Sequence, residues 1–121
     1  MNKTTAERVA KYTNTFHGRL KTLLKGAKSS AKKRDQEFSI TYADLVEIWQ
    51  KQKGKCIYTG WDMTTETNDL TLVSIERVVN DIGYTPENCV LSCWCVNRAK
   101  STLDKETFIK MCKDVYKKNN T

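Results

Sequence analysis

At 121 residues, with 21 Lys and Arg against 14 Asp and Glu, the chain carries a formal charge of +7 and a pI near 9.2. The length suits one domain that buries about two-thirds of its unfolded surface, and the charge favours a polyanionic partner, nucleic acid ahead of an acidic membrane surface. No apolar run approaches the ~20 residues of a membrane span, Met1 to Lys11 is too polar for a signal peptide, and five cysteines without a secretory signal point to a reducing, cytoplasmic setting.

Thr4-Thr5-Ala6-Glu7 has the pattern of a capping box. Apolar residues then recur at Val9, Tyr12, Phe16, Leu20, Leu23, Leu24, Ala27 and Ala31, which is helical spacing. Gly18 and Gly26 are expected to bend or break that helix. Between the apolar positions lie Arg19, Lys25, Lys28, Lys32, Lys33 and Arg34, and Glu7 is the only acid before Asp35. A solvated face would need no such local excess. The bias suits a helix laid along a phosphate backbone, where each cationic contact releases counterions. We therefore read residues 1–36 as a basic helical arm and 37–121 as the core of a single domain.

Phe38-Ser39-Ile40 suits a short strand or an extended lead-in. Thr41 to Asp44 repeats the capping signal, with Ile40 and Leu45 placed for a hydrophobic staple. The middle helix buries Tyr42, Leu45, Ile48 and Trp49 and ends near Gly54. Cys56-Ile57-Tyr58-Thr59 resembles a zinc knuckle with threonine at its second corner. Cys93 and Cys95 are spaced C-x-C, and the sole histidine, His17, lies far off in the arm. Structural zinc is therefore not expected, and the cysteines read as small buried apolar residues.

Two strands follow, Thr71 to Val78 and Asn88 to Ser92, joined by a loop rich in turn residues. In the first, Leu70, Leu72, Ser74 and Glu76 share one face and Thr71, Val73, Ile75 and Arg77 the other. A short helix, Trp94 to Lys100, then sets Cys93, Val96, Asn97 and Lys100 on one side. Leu103 and Phe108 bracket Asp104 as a staple around an N-cap, and Phe108, Met111, Cys112, Val115 and Tyr116 have helical spacing. That last helix is expected to lay its apolar side on the core and to fray from Lys117 onward. The class is α+β.

Four short segments, Ser74-Ile75-Glu76-Arg77, Gly83-Tyr84-Thr85, Glu87-Asn88-Cys89-Val90 and Asn97-Arg98-Ala99-Lys100, together resemble the HNH, or ββα-metal, endonucleases, and among them the small phage-type members. The resemblance implies a ββα-metal unit and a metal-dependent DNA endonuclease, sited in the host cytoplasm if phage-encoded. It puts Glu76 at the metal-binding carboxylate and Asn97 at the amide ligand of the same ion. It puts Asn88 at the position that holds the loop to the strand, and Arg77 where many members carry the water-activating histidine. Arginine stays protonated at physiological pH, so Asp81, Tyr84 or a metal-made hydroxide is left to take the proton. The implied cofactor is Mg2+ or Mn2+, a hard cation that bridges phosphate oxygens. Arg98 and Lys100 are expected to clamp neighbouring phosphates. The alternative is a non-catalytic nucleic-acid-binding module on the same scaffold.

Overall fold

Residues 15–120 are described by a computed structural model. Among them four α-helices and a short 3-10 turn surround one antiparallel pair of strands. The capping signal at Thr4 and the apolar positions Val9 and Tyr12 lie outside the described residues. Helix α1 spans Phe16–Lys33, and Thr15 caps it by accepting a hydrogen bond from the Gly18 amide. The helix runs unbroken through Gly18 and Gly26, contrary to the sequence expectation. A helical glycine costs only about 1 kcal/mol relative to alanine, and buried Leu20, Ala27 and Ala31 hold the helix to the core.

Helix α2 spans Tyr42–Gln52 and realises the capping box: Thr41 Oγ1 accepts from the Asp44 amide while Asp44 Oδ2 accepts from the Thr41 amide. Ile40 and Leu45, the two staple positions, are both buried. The helix stops where Lys53 and Gly54 turn left-handed, and the Trp49 ring lies against Gly54 where a side chain would otherwise stand.

Strands β1, Val73–Arg77, and β2, Cys89–Cys93, pair with Val73 opposite Cys93 and Arg77 opposite Cys89. Both are displaced or shortened relative to the sequence reading, because local side-chain bonds compete with the ladder. Asp69 Oδ1 accepts from the Thr71 amide and hydroxyl and holds Thr71 in a turn. At the other end Thr85 caps the 3-10 turn Pro86–Asn88.

Two strands are marginal alone; here groups from distant segments bond to both margins of the sheet, among them the Thr64 carbonyl on the Val73 amide and the Ile57 amide on the Leu91 carbonyl. On the β1 side Arg19 donates to the Val73 carbonyl from Nε and Nη2, at 3.0 and 2.7 Å. Asn97 Nδ2 donates to the Ile75 carbonyl at 3.2 Å. On the β2 side Gln52 accepts from the Leu91 amide and donates to the Leu91 carbonyl.

Helix α3, Trp94–Lys100, covers the sheet face that carries Ser74 and Glu76, and helix α4, Lys105–Asn119, follows it. The strands, α3 and their connecting loop form the ββα unit. Helix α4 departs from expectation twice. It continues to Asn119 instead of fraying at Lys117, and only Phe108 is buried, packed edge-on against Tyr58. Met111, Val115 and Tyr116 are exposed. Among the described residues no helix is long and apolar enough to cross a membrane.

The segment after α1 is pinned to the loop between the strands. Tyr84 donates its amide to the Glu37 carbonyl, and its own carbonyl accepts from the Ser39 and Ile40 amides. Gly83 sits against the Glu37 backbone so closely that a methyl group there would collide with it. Because backbone cannot swing aside, Gly83→Ala is expected to destabilise the fold by about 3 kcal/mol. Urea unfolding checks this, and a loss under about 1 kcal/mol would contradict the contact.

Candidate active site

The free margin of β1 opens onto a cavity of about 440 Å3 whose wall includes Arg34, Glu76, Arg77, Asn80, Tyr84 and Asn97. Four parts of the chain meet there: the C-terminal end of α1, strand β1, the loop after it, and α3 with the turn beyond. A second cavity of about 340 Å3 continues along α1 past Arg19, Gly26 and Ser30 and shares Ile75, Tyr84 and Asn97 with the first. The small side chains on that stretch of α1 leave the trough open.

Each wall residue is held by a different device. Asn88 is 6% exposed and organises the loop between the strands. Its Oδ1 accepts from the Val79 amide, and its Nδ2 donates to the carbonyls of Val79, Ile82 and Gly83. Asn80 donates to the Thr102 carbonyl at 3.0 Å, tying that loop to the turn after α3.

Arg77 donates from Nη1 to Gln36 Oε1 and to the Asn80 carbonyl, both at 2.6 Å, and its guanidinium stacks over the Tyr84 ring at 5.2 Å. Hydrogen bonds among the described residues engage Nη1 only, so Nε and Nη2 remain for an anion. Gln36 also donates to the Asn80 carbonyl. Asn97 spends Nδ2 on Ser74 Oγ and the Ile75 carbonyl, which fixes the amide and leaves Oδ1 as its unused oxygen.

Among the described residues Glu76 is the one acid in the wall. Its side chain is 4% exposed, and Lys100 Nζ, at 1% exposure, stands 3.0 Å from Oε1. The approach is an ion pair without the angles of a hydrogen bond, and both carboxylate oxygens are closed to solvent. The Tyr58 hydroxyl faces the same carboxylate. Burial foremost, and then the Glu76 charge, push its ionisation well above the usual tyrosine range. Taking a carboxylate out of water is costly unless it is paired, and Lys100 supplies the pair.

The residues singled out in the sequence thus divide. Glu76, Arg77, Asn97 and Arg34 line one cavity, and Asn88 braces the loop beside it. Lys25, Lys28, Lys32 and Lys33 are exposed along α1. Arg98 is exposed and stacks on Trp94. Two cations lie elsewhere than expected. Arg19 spends its guanidinium on the sheet margin, and Lys100 points inward instead of toward solvent. Of the proton acceptors considered, Tyr84 lines the cavity while Asp81 is exposed outside its wall. His17 pairs with Tyr42 away from it. Sequence reasoning missed Gln36, Gln52 and Tyr58, whose partners Arg77, Leu91 and Glu76 lie 41, 39 and 18 positions away.

The cysteine cluster behaves differently from a metal knuckle. The Cys93 amide donates to Cys56 Sγ at 3.4 Å. Burial opposes ionisation of Cys56, but hydrogen bonds from Thr59 and from nearby backbone amides outweigh it and bring the thiol below its usual range. Burial pushes the Cys93 thiol up to about 12. Among the described residues no group of three or more His, Cys, Asp and Glu side chains is arranged to hold a metal ion. Any ion in the cleft would therefore rely on Glu76, the Asn97 amide oxygen and water. That donor set fits Mg2+ or Mn2+, which take hard oxygen ligands and keep several waters.

No protein-family model matches the chain. An uncharacterised protein of Acanthamoeba polyphaga mimivirus is 33% identical over 85 residues, which are 70% of this chain and 14% of that protein. The chain thus spans about one-seventh of that relative's length. Among solved structures it is similar to the rare-cutting HNH restriction endonuclease PacI, with a TM-score of 0.60 and 18% identity over 81% of this chain and 77% of that one. At that identity the likeness is one of fold, and the fold is HNH-like.

Proposed function

We propose that the chain is a DNA phosphodiesterase that uses one divalent ion, Mg2+ or Mn2+, in the cavity beside β1. The observation that carries this reading is the meeting of Glu76, Asn97, Arg77 and Arg34 in the wall of one cavity. Glu76 and Asn97 Oδ1 would hold the ion, which when bound would polarise the scissile phosphate and stabilise charge on the departing oxygen. Arg77 Nε and Nη2 and the Arg34 guanidinium grip the non-bridging phosphate oxygens. The exposed lysines of α1 and Arg98 carry the flanking backbone, a salt-sensitive contribution.

In the reaction a water oxygen forms a bond to phosphorus and one ester P–O bond breaks. The water proton leaves to solvent, directly or through the Tyr84 hydroxyl, which passes its own proton on as it accepts, and the departing alkoxide takes up a proton. Tyr84 is assigned the placing of the water because its ring is fixed against Arg77.

Nicking of supercoiled plasmid at low salt tests the proposal. Cleavage is expected with Mg2+ or Mn2+ and is expected to stop on chelation. If neither ion supports cutting of linear, supercoiled or branched DNA, the enzymatic reading fails. A non-catalytic DNA-binding module is the second reading, favoured by the existing neutralisation of Glu76 by Lys100. It predicts salt-sensitive binding that chelator leaves unchanged.

A further inference from the structure

The position of Lys100 adds a component to the cleft. Its four-carbon stem runs into the core from the last turn of α3, and its ammonium ends 3.0 Å from the Glu76 carboxylate. A neutral side chain of similar length would fill the same volume, but it would leave the Glu76 carboxylate buried without a counter-charge. The cation is therefore matched to the carboxylate, whose two oxygens are closed to solvent while Glu76 itself lies in the wall of the cavity.

The residue that follows is Ser101, which ends the helix at φ 48°, ψ −121°. A non-glycine side chain is strained in that region. Ser101 and Thr102 themselves line the cavity. The buried lysine is thus attached to a strained turn that borders the same space as its carboxylate partner.

We propose that Lys100 is a built-in counter-cation of the Glu76 carboxylate, one that a divalent ion must displace in order to bind. In the metal-free protein it keeps the carboxylate paired and oriented. When the ion binds, the lysine withdraws through rearrangement of the turn at Ser101. Lys100 thus lowers the affinity of the site for metal and acts as a positioning residue, without contacting substrate. The inference rests on the reading that Glu76 and Asn97 hold the ion.

Manganese binding to the full chain, followed by electron paramagnetic resonance and thermal melts, tests it. Lys100→Met and Lys100→Gln are expected to bind Mn2+ about tenfold tighter than wild type, because the competing occupied state is gone. The ion is also expected to raise their melting temperatures more than that of wild type. Glu76→Gln is expected to abolish binding in either background.

Equal affinity in wild type and both Lys100 variants, with Glu76→Gln still abolishing binding, overturns the role of Lys100 and leaves the metal site standing. No Glu76-dependent Mn2+ binding in any chain overturns the site itself. If both Lys100 variants are unfolded without metal, Mn2+ is expected to restore their circular dichroism. Chains that stay unfolded at saturating Mn2+ would sink the proposal.

Discussion

Replacing Asn88 by alanine is expected to cost on the order of 3 kcal/mol or more of folding stability and to silence any cleavage with it. The side chain makes four hydrogen bonds, one to the Val79 amide and three to carbonyls between Val79 and Gly83. Alanine leaves those groups without their partner in a site already closed to water, and stranded buried polar groups are costlier than the mean worth of a hydrogen bond. The same loop carries Asn80, which holds both Arg77 and the Thr102 turn, so the cavity wall loosens with it. Asn88→Asp provides a sharper version. It preserves the acceptor for the Val79 amide but faces a carboxylate against three carbonyl oxygens, so it is expected to be at least as damaging. Equilibrium denaturation of the two variants measures the effect; a loss under about 1 kcal/mol would show that the loop holds itself together.

The second large effect is at Asn97. Under the proposed function, Asn97→Ala is expected to reduce cleavage by about 100-fold or more, since even outer-shell partners of a metal ligand carry about 10–100-fold. It also removes two hydrogen bonds to β1, worth together about 1–3 kcal/mol. That loss of stability must be separated from the loss of rate, and Asn97→Asp does so. It retains an oxygen for the ion while giving up both Nδ2 donations, so it is expected to recover part of the cleavage without recovering the stability. Single-turnover rates on a nicked and an intact duplex, each with saturating Mn2+, provide the comparison. Wild-type rates in Asn97→Ala would remove the amide from the chemistry.

The legible parts of this fold are those whose cause is local. Thr41 and Asp44 announce α2 because the two groups that satisfy each other are three positions apart. The stretch from β1 to α3 is legible because loop residues, strand residues and helix residues follow one another in a fixed order. Even there the strand ends moved, since the Asp69–Thr71 turn forms from side chains whose competing bonds spacing alone does not weigh.

What stayed hidden depends on distant partners. Arg19 reads as one more cation of a basic helix until the Val73 carbonyl is seen beneath it. Lys100 reads as a phosphate clamp because lysine is normally solvated, and its inward course follows only from the carboxylate across the sheet face. The site shows the same split. That Glu76 and Asn97 border one cavity follows the order of the motif, while the brace of Gln36 and Asn80 around Arg77 depends on partners the motif does not contain. The apolar stripe of α4 was read correctly as a stripe, but periodicity states that a face is apolar and does not state what lies opposite.

The groups bonded along both sheet margins have a consequence for how this chain meets its own copies. A strand with bare peptide groups at its border is a template onto which another polypeptide can add. Here the Leu91 peptide groups are taken by Gln52, and the outward carbonyls of Val73 and Ile75 by Arg19 and Asn97. At these positions lateral growth into intermolecular ribbons is opposed by amide and guanidinium groups, together with the Ile57 amide on the Leu91 carbonyl and the Thr64 carbonyl on the Val73 amide.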